Sequence, residues 1–314
     1  MTPTLDLTVG PLLYWWPRAA TMDFYGRIAE GPARTVVLGE VVCSRRNDWK
    51  FEDWLALARD LAAAGKRVVL ATLALVASEA ELRAVQRLAA QDEFEVEAGD
   101  ASALQALAAG RRACPGLRPF VIGPHVNVYN RAALELHAAL GAGTWVAAVE
   151  LALDAVAATN PRADPVIGPH GPVATEVFGF GRLPLAFSAR CFTARHHRLP
   201  KDACDFRCRS DADGLLLSSG EGEPFLVLNG IQTQSAALHA LPAAGAALRA
   251  AGARSVRLSP CAAHFPRVVE LFDAAYNRGA AAADVLAELR GLGLPGALVD
   301  GYAWRRSGMQ PLAA

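Results

Sequence analysis

The 314-residue sequence carries no excess of either charge, with Lys plus Arg and Asp plus Glu both at 31. Without a net positive field there is nothing to draw in a polyanion, so nucleic acid is not expected as a partner. An uninterrupted apolar run of about 18 residues, the length a spanning helix needs, is also missing. The opening MTPTLDLTVGPLLYWWPRAA has no basic segment before its apolar stretch, which stops at Pro17, so it does not read as a signal peptide. The expectation is a cytoplasmic protein with no transmembrane segment. No G-x-G-x-x-G or G-x-x-x-x-G-K-[ST] stands at the end of a strand-like run, which removes the usual basis for a nucleotide cofactor. H-E-x-x-H, G-x-S-x-G and an assignable Cys-His pair are missing too, and with them the simplest routes to a protease. Tight C-x-x-C knuckles, the usual mark of a structural zinc site, do not occur.

What the chain does have is six cysteines, three of them close together. The segment EVFGFGRLPLAFSARCFTARHHRLPKDACDFRC (176–208) places Cys191, Cys204 and Cys208 at a spacing of C-x12-C-x3-C. Thiolates are the soft ligands that zinc and iron-sulfur clusters select, and both usually take four. The segment therefore predicts a fourth cysteine arriving from elsewhere. Cys43 is the best candidate, because it follows TVVLGEVV (35–42), an apolar run that reads as a buried strand, and sites in α/β barrels collect at strand C-terminal ends. Cys114 and Cys261 read as ordinary small side chains. In a reducing compartment such a group is expected to bind metal rather than form disulfides.

Strand-like runs alternate with helical ones along most of the chain. LLYWW (12–16), TVVLGEVV (35–42), RVVLATL (67–73), EFEVEA (93–98), PFVIGPH (119–125) and WVAAVEL (145–151) read as strands. Helices are expected over 21–30 with Thr21 as N-cap, over 48–64, after a Ser78/Glu81 capping box, and over 130–140. Six or seven such units before the cysteine segment favour a closed barrel over an open doubly wound sheet. The predicted fold is α/β: a TIM-like (β/α) barrel with parallel strands, outer helices and a long cysteine-bearing loop at the C-terminal face. Length permits a single domain over 1–314. Pro184 and Pro200 are expected to interrupt any regular element in the cysteine segment. FLVLNG (225–230), SVRLSP (255–260) and a helix over 266–277 follow it.

The phrases LGEVVCSRR (38–46), LPLAFSARCFTAR (183–195), LPKDAC (199–204), LNGIQT (228–233) and RLSP (257–260), in that order, resemble the U32 peptidase-like family and within it the members that serve ubiquinone biosynthesis. The resemblance implies a [4Fe-4S] cluster held by Cys43, Cys191, Cys204 and Cys208. It further implies a heterodimer with a UbiU-like paralogue and oxygen-independent hydroxylation of an aromatic ring. A UbiT-like sterol-carrier protein would be the accessory lipid binder, with a quinone precursor and prephenate as substrates. Other readings are a U32-like protease, an RNA hydroxylase of the same family, which would need a basic docking face, and a structural zinc protein.

Around the cysteines lie Arg45, Arg190, Arg195, His196, His197, Arg198 and Lys201. Arg forks match carboxylate geometry, so Arg45, Arg190 and Arg195 are the candidate receivers of an anionic donor, while the two histidines read as a solvated face. Glu40, Glu97 and Glu150 interrupt apolar runs and are expected at the barrel mouth with Arg45 or Arg46, since a buried carboxylate is costly unless paired. His125, Asn229 and Gln232 are further polar residues at strand ends. Trp15, Trp16, Phe51 and Trp54 read as packing rather than as a quinone-binding strip.

Overall fold

The computed structural model describes residues 3–114, 116–310 and 312. The chain begins β1 (Asp6–Val9), α1 (Arg18–Glu30), β2 (Thr35–Leu38), α2 (Phe51–Ala63), β3 (Arg67–Ala71), α3 (Glu79–Ala90), β4 (Glu95–Ala98), α4 (Ala101–Ala113), β5 (Phe120–Ile122), α5 (Arg131–Ala139), β6 (Ala142–Val146) and α6 (Leu153–Thr159). A two-residue hairpin, β7 (Ile167–Gly168) and β8 (Gly171–Pro172), precedes the long strand β9 (Ala174–Phe187). The cysteine segment with α7 (Phe192–His196) follows, then β10 (Leu215–Ser218), β11 (Pro224–Asn229), β12 (Gln232–Ala240), α8 (Gly245–Ala250), β13 (Ala253–Leu258), α9 (Phe265–Asn277), α10 (Ala282–Gly291) and β14 (Leu298–Val299).

Strands β1, β2, β3, β4, β5, β6, β9 and β13 pair in that order, every pair is parallel, and β13 closes back on β1. The result is a closed eight-stranded TIM-like barrel, as the βα rhythm predicts. Strands such as TVVL and RVVLA are apolar on both faces because one face meets the lumen and the other the helices. The outer layer of that core includes Trp145, Tyr25, Phe120, Phe265 and Phe272, all fully buried. Inside, Val37, Val69, Val121 and Val146 form an apolar plug joined by Leu13, Val41, Val42 and Ile231.

Several expected elements are corrected. LLYWW is not a strand: β1 is Asp6–Val9, and residues 11–16 run irregularly across the barrel end. Their polar atoms are used by distant segments, with Trp15 Nε1 donating to Asp48, Trp16 Nε1 to the Ala212 carbonyl and Tyr14 Oη to Gln234 of β12. The first helix starts at Arg18 behind Pro17, and Thr21 lies inside it rather than capping it. TVVLGEVV stops being a strand at Leu38. There Gly39 takes φ +123°, and a Cβ would lie 2.7 Å from the Ala71 carbonyl, so only glycine fits. Pro184 does not interrupt an element but sits within β9, where the register with β12 shifts between Thr233 and Gln234, and such irregularities tolerate a missing N–H. The Ser78 cap is present, with its hydroxyl accepting from Glu81 N.

The lower half of β9 is a barrel stave, whereas its upper half pairs antiparallel with β12. From there β11 and β10 extend a small antiparallel platform. His239 of β12 is buried, and burial holds its imidazole down to about 4. The unfolded chain takes up this proton below about 6.5, while the folded chain does so only near 4. Stability present at neutral pH is therefore lost as pH falls through that window. The thermal midpoint should drop between pH 7 and 4.5, and less steeply in His239→Gln. Equal slopes would contradict this.

Candidate functional site at the C-terminal end of the barrel

Cys43 stands five residues beyond the last residue of β2, in the loop that Gly39 turns over the barrel end. Its neighbour Glu40 is half-buried, and Oε1 accepts from the backbone N–H groups of Val42 at 2.8 Å and Cys43 at 2.9 Å. Burial pushes the Glu40 carboxyl above its ordinary value, against the pull of Arg46. Cys191 caps the short helix α7, its Sγ accepting from Ala194 N at 3.4 Å. Both Cys43 and Cys191 pack against the apolar plug of the barrel.

The LNGIQT turn between β11 and β12 holds these two pieces together. The Gly230 carbonyl accepts from Phe192 N at 2.8 Å, and Gly230 N donates to Thr193 Oγ1 at 2.9 Å, which fixes α7. Asn229, buried at 2 % exposure, accepts from Arg46 Nη2 at 2.6 Å and donates to the Leu13 carbonyl at 2.7 Å. Gly230 has φ +64°, and a Cβ there would stand 3.2 Å from Arg46 Nη2, so a larger residue would strain the backbone and crowd the guanidinium.

Cys204 and Cys208 flank a turn in which Asp205 and Phe206 both adopt left-handed conformations, at φ 48° and 54°. Such residues cost about 1–2 kcal/mol each unless their surroundings hold them. The holding contacts are visible: the Phe206 ring meets Trp15 edge-on at 4.8 Å, and the Arg209 guanidinium lies 3.8 Å from the Trp15 ring centroid. Arg209 also donates twice to Asp48, at 2.8 and 2.6 Å, and Asp48 in turn receives Trp15 Nε1. This clamp ties the third and fourth cysteines to the loop of the first. Sequence reading missed it, because its members stand 33 and 161 residues apart and no spacing announces the pairing.

All six cysteines are free thiols. Burial raises the thiols of Cys43, Cys191 and Cys208, and they also act on one another: Cys208 raises Cys43, while Cys43 and Cys204 raise Cys191. Cys191 and Cys204 likewise raise Cys208. The early cysteine and the late trio thus share one neighbourhood. Cys114 lies exposed at the end of α4 and Cys261 is buried near the start of α9. Among the described residues no group of three or more His, Cys, Asp or Glu side chains is gathered closely enough to hold a metal ion.

The remaining candidates divide. Arg45 is half-buried and donates to the Lys201 carbonyl at 2.6 Å, beside Asp202. Arg190, Arg195, His196 and His197 are exposed, and the two arginines form no ion pair among the described residues. Glu97 does not reach Arg45 or Arg46. It meets Arg257 inside the lumen, at 2.9 and 2.5 Å. Glu150 is exposed beside Tyr129. His125 stacks edge-on to Phe187 at 4.7 Å, and burial followed by the Arg257 charge holds its imidazole down to about 3. Gln232 is fully buried and accepts from Asn229. Trp15 and Trp16 are packed, Trp54 stacks on Trp49 at 4.7 Å, and Phe51 lies under Arg87.

Barrel and loops together define an α/β barrel protein with cysteines in the loops over the C-terminal ends of its strands. Residues 23–237 match the family model of Peptidase family U32, and the chain belongs to that family. Among solved structures, the U32 peptidase Mk0906 is similar at 14% identity with a TM-score of 0.42, over 83% of this chain and 94% of that one. A tryptophan synthase complex from Pyrococcus furiosus is similar at 12% identity and a TM-score of 0.45, over 93% of this chain and 100% of that one. No helix among the described residues is long and apolar enough to cross a membrane.

Proposed function

We propose that the chain is the UbiV-type half of a heterodimer with a UbiU-like paralogue, an iron-sulfur subunit for oxygen-independent hydroxylation of the aromatic ring in ubiquinone biosynthesis. The observation that supports this reading is that Cys43 and Cys191, far apart in the chain, pack on the same apolar plug, while the Asp48–Arg209 clamp holds the Cys204–Cys208 turn to the loop of Cys43. The donor set suits the implied group: four free thiols, a dry apolar floor and a buried guanidinium beside them. A lone zinc would need its four sulfurs about 3.8 Å apart, given Zn–S bonds of about 2.3 Å. A four-iron cluster is a wider body, so its thiolates need not close to that distance.

When bound, the cluster supplies electron transfer or Lewis acidity, its potential tuned by charge and hydrogen bonds around the sulfurs. The chain's own residues do the rest. The apolar plug excludes water from the floor of the site. Arg45, Arg190 and Arg195 offer forked donors to a dicarboxylate hydroxyl donor such as prephenate. In this reading the quinone precursor reaches the site on a UbiT-like sterol-carrier protein.

Purification without oxygen tests the reading. About four iron and four acid-labile sulfide per chain are expected, with a broad visible absorption that bleaches on reduction. Stoichiometric zinc without sulfide would overturn it, and cleavage of peptides by the same preparation would return the chain to the activity its family is named for.

A further inference from the structure

Arg46 is 5 % exposed, deeper than any other cation in the loops around the cysteines. Its side chain is fixed mainly by neutral acceptors: Nη1 donates to the Leu13 carbonyl at 2.7 Å and Nη2 to Asn229 Oδ1 at 2.6 Å. Its backbone N–H donates to the Cys43 carbonyl at 2.9 Å, so the guanidinium and the first cysteine belong to one tight turn. Nε is buried and has no partner. An unused buried donor is costly, and its persistence here calls for an explanation. The one carboxylate nearby, Glu40, stands 3.7 Å from Nη1 and spends its Oε1 on two backbone N–H groups.

Leu13, whose carbonyl Arg46 holds, belongs to the apolar plug on which Cys43 and Cys191 pack, and Asn229, the other acceptor of Arg46, precedes the Gly230 that binds α7 just after Cys191. The other cations of the segment are solvent-facing or already engaged: Arg209 is taken up by Asp48, and Arg190 and Arg195 lie in water. Water and salt screen such charges, whereas a buried one is screened much less. We infer that Arg46 is the built-in counter-charge of the four-thiolate centre, a positioning residue that stabilises its more negative, reduced state and so raises its reduction potential. Glu40 acts on the same centre with the opposite sign. This rests on the cluster reading above.

The test uses the anaerobically purified chain and follows the midpoint potential by redox titration with spin-resonance detection, alongside iron content. Arg46→Gln should lower the potential by about 59 mV, a tenfold change in the reduced-to-oxidised ratio for one electron. Arg46→Lys should restore most of the difference. Glu40→Gln keeps an oxygen for the Val42 and Cys43 N–H groups and should shift the potential upward. A packing defect would not move the two glutamine variants in opposite directions. Loss of the cluster in Arg46→Gln but not in Arg46→Lys also supports the inference. An unmoved potential in Arg46→Gln, or equal losses in the Gln and Lys variants, overturns it while the cluster reading stands. A wild-type chain that takes up neither iron nor sulfide removes both.

Discussion

Arg257→Leu is expected to cost about 3–5 kcal/mol of folding stability, the effect of leaving buried charge without its partner. A domain of ordinary stability holds about 5–15 kcal/mol in all, so the variant should be mostly unfolded on mild heating. The reason is geometric. β4 and β13 stand opposite each other in the eight-stranded ring, so the pair between Glu97 and Arg257 crosses the lumen. Arg257 also donates from Nε to Glu176 at 2.6 Å, and Glu176 accepts from Thr8 at 2.6 Å and Ser255 at 2.8 Å. All three charged side chains are 2–3 % exposed. Burial pushes the Glu176 carboxyl up, yet Arg257 and the two hydroxyls outweigh it and leave the group below its ordinary value. Without Arg257 the desolvation is opposed by the two hydroxyls alone. Urea denaturation would measure the loss. The triple change to leucine of Arg257, Glu97 and Glu176 should recover much of it, because replacing a whole buried ion set by apolar residues is often neutral. A single Arg257→Leu as stable as wild type would show that the lumen network contributes little.

The second large effect concerns the thiols. Replacing any one of Cys43, Cys191, Cys204 or Cys208 by alanine is expected to reduce bound iron and sulfide to under about a tenth of wild type, since an all-thiolate cluster has no spare ligand. Cys114→Ser and Cys261→Ser should keep their full complement. Cys114 is exposed at the far end of α4. Cys261 is buried, its thiol directed at the Ala263 carbonyl, and burial pushes it up to about 12, so it stays protonated. Six single variants assayed for metal separate the two groups. A cluster that survives Cys43→Ala, or one that depends on Cys261, would break the assignment of four.

Much of the barrel was legible because its staves are apolar on both faces and are punctuated by helices of the right length. β9 was not. VFGFGRLPLAF mixes glycine, arginine and proline within one strand, since its upper half leaves the barrel and faces a different partner. β12 reads QTQSAALHA, a polar pattern whose Gln232 and Gln234 are fully buried only because the platform folds over them. LLYWW misled for the opposite reason. It is apolar enough for a strand, but its indole and phenol groups reach hydrogen-bond partners that no local pattern reveals. The cysteine spacing singled out three thiols in one segment and left the fourth to be sought at a strand end. It could not reveal that Asn229 and Arg46, 183 residues apart, join the two arms that carry them.

β9 has one more consequence. The stretch bearing Cys191, Cys204 and Cys208 leaves the sheet at Phe187 and re-enters it at Leu215, and both moorings belong to a single continuous ladder through β12 and β11. Its ends are therefore fixed by the sheet whatever the residues between them bind, unlike those of a zinc finger, whose whole architecture waits for its ion.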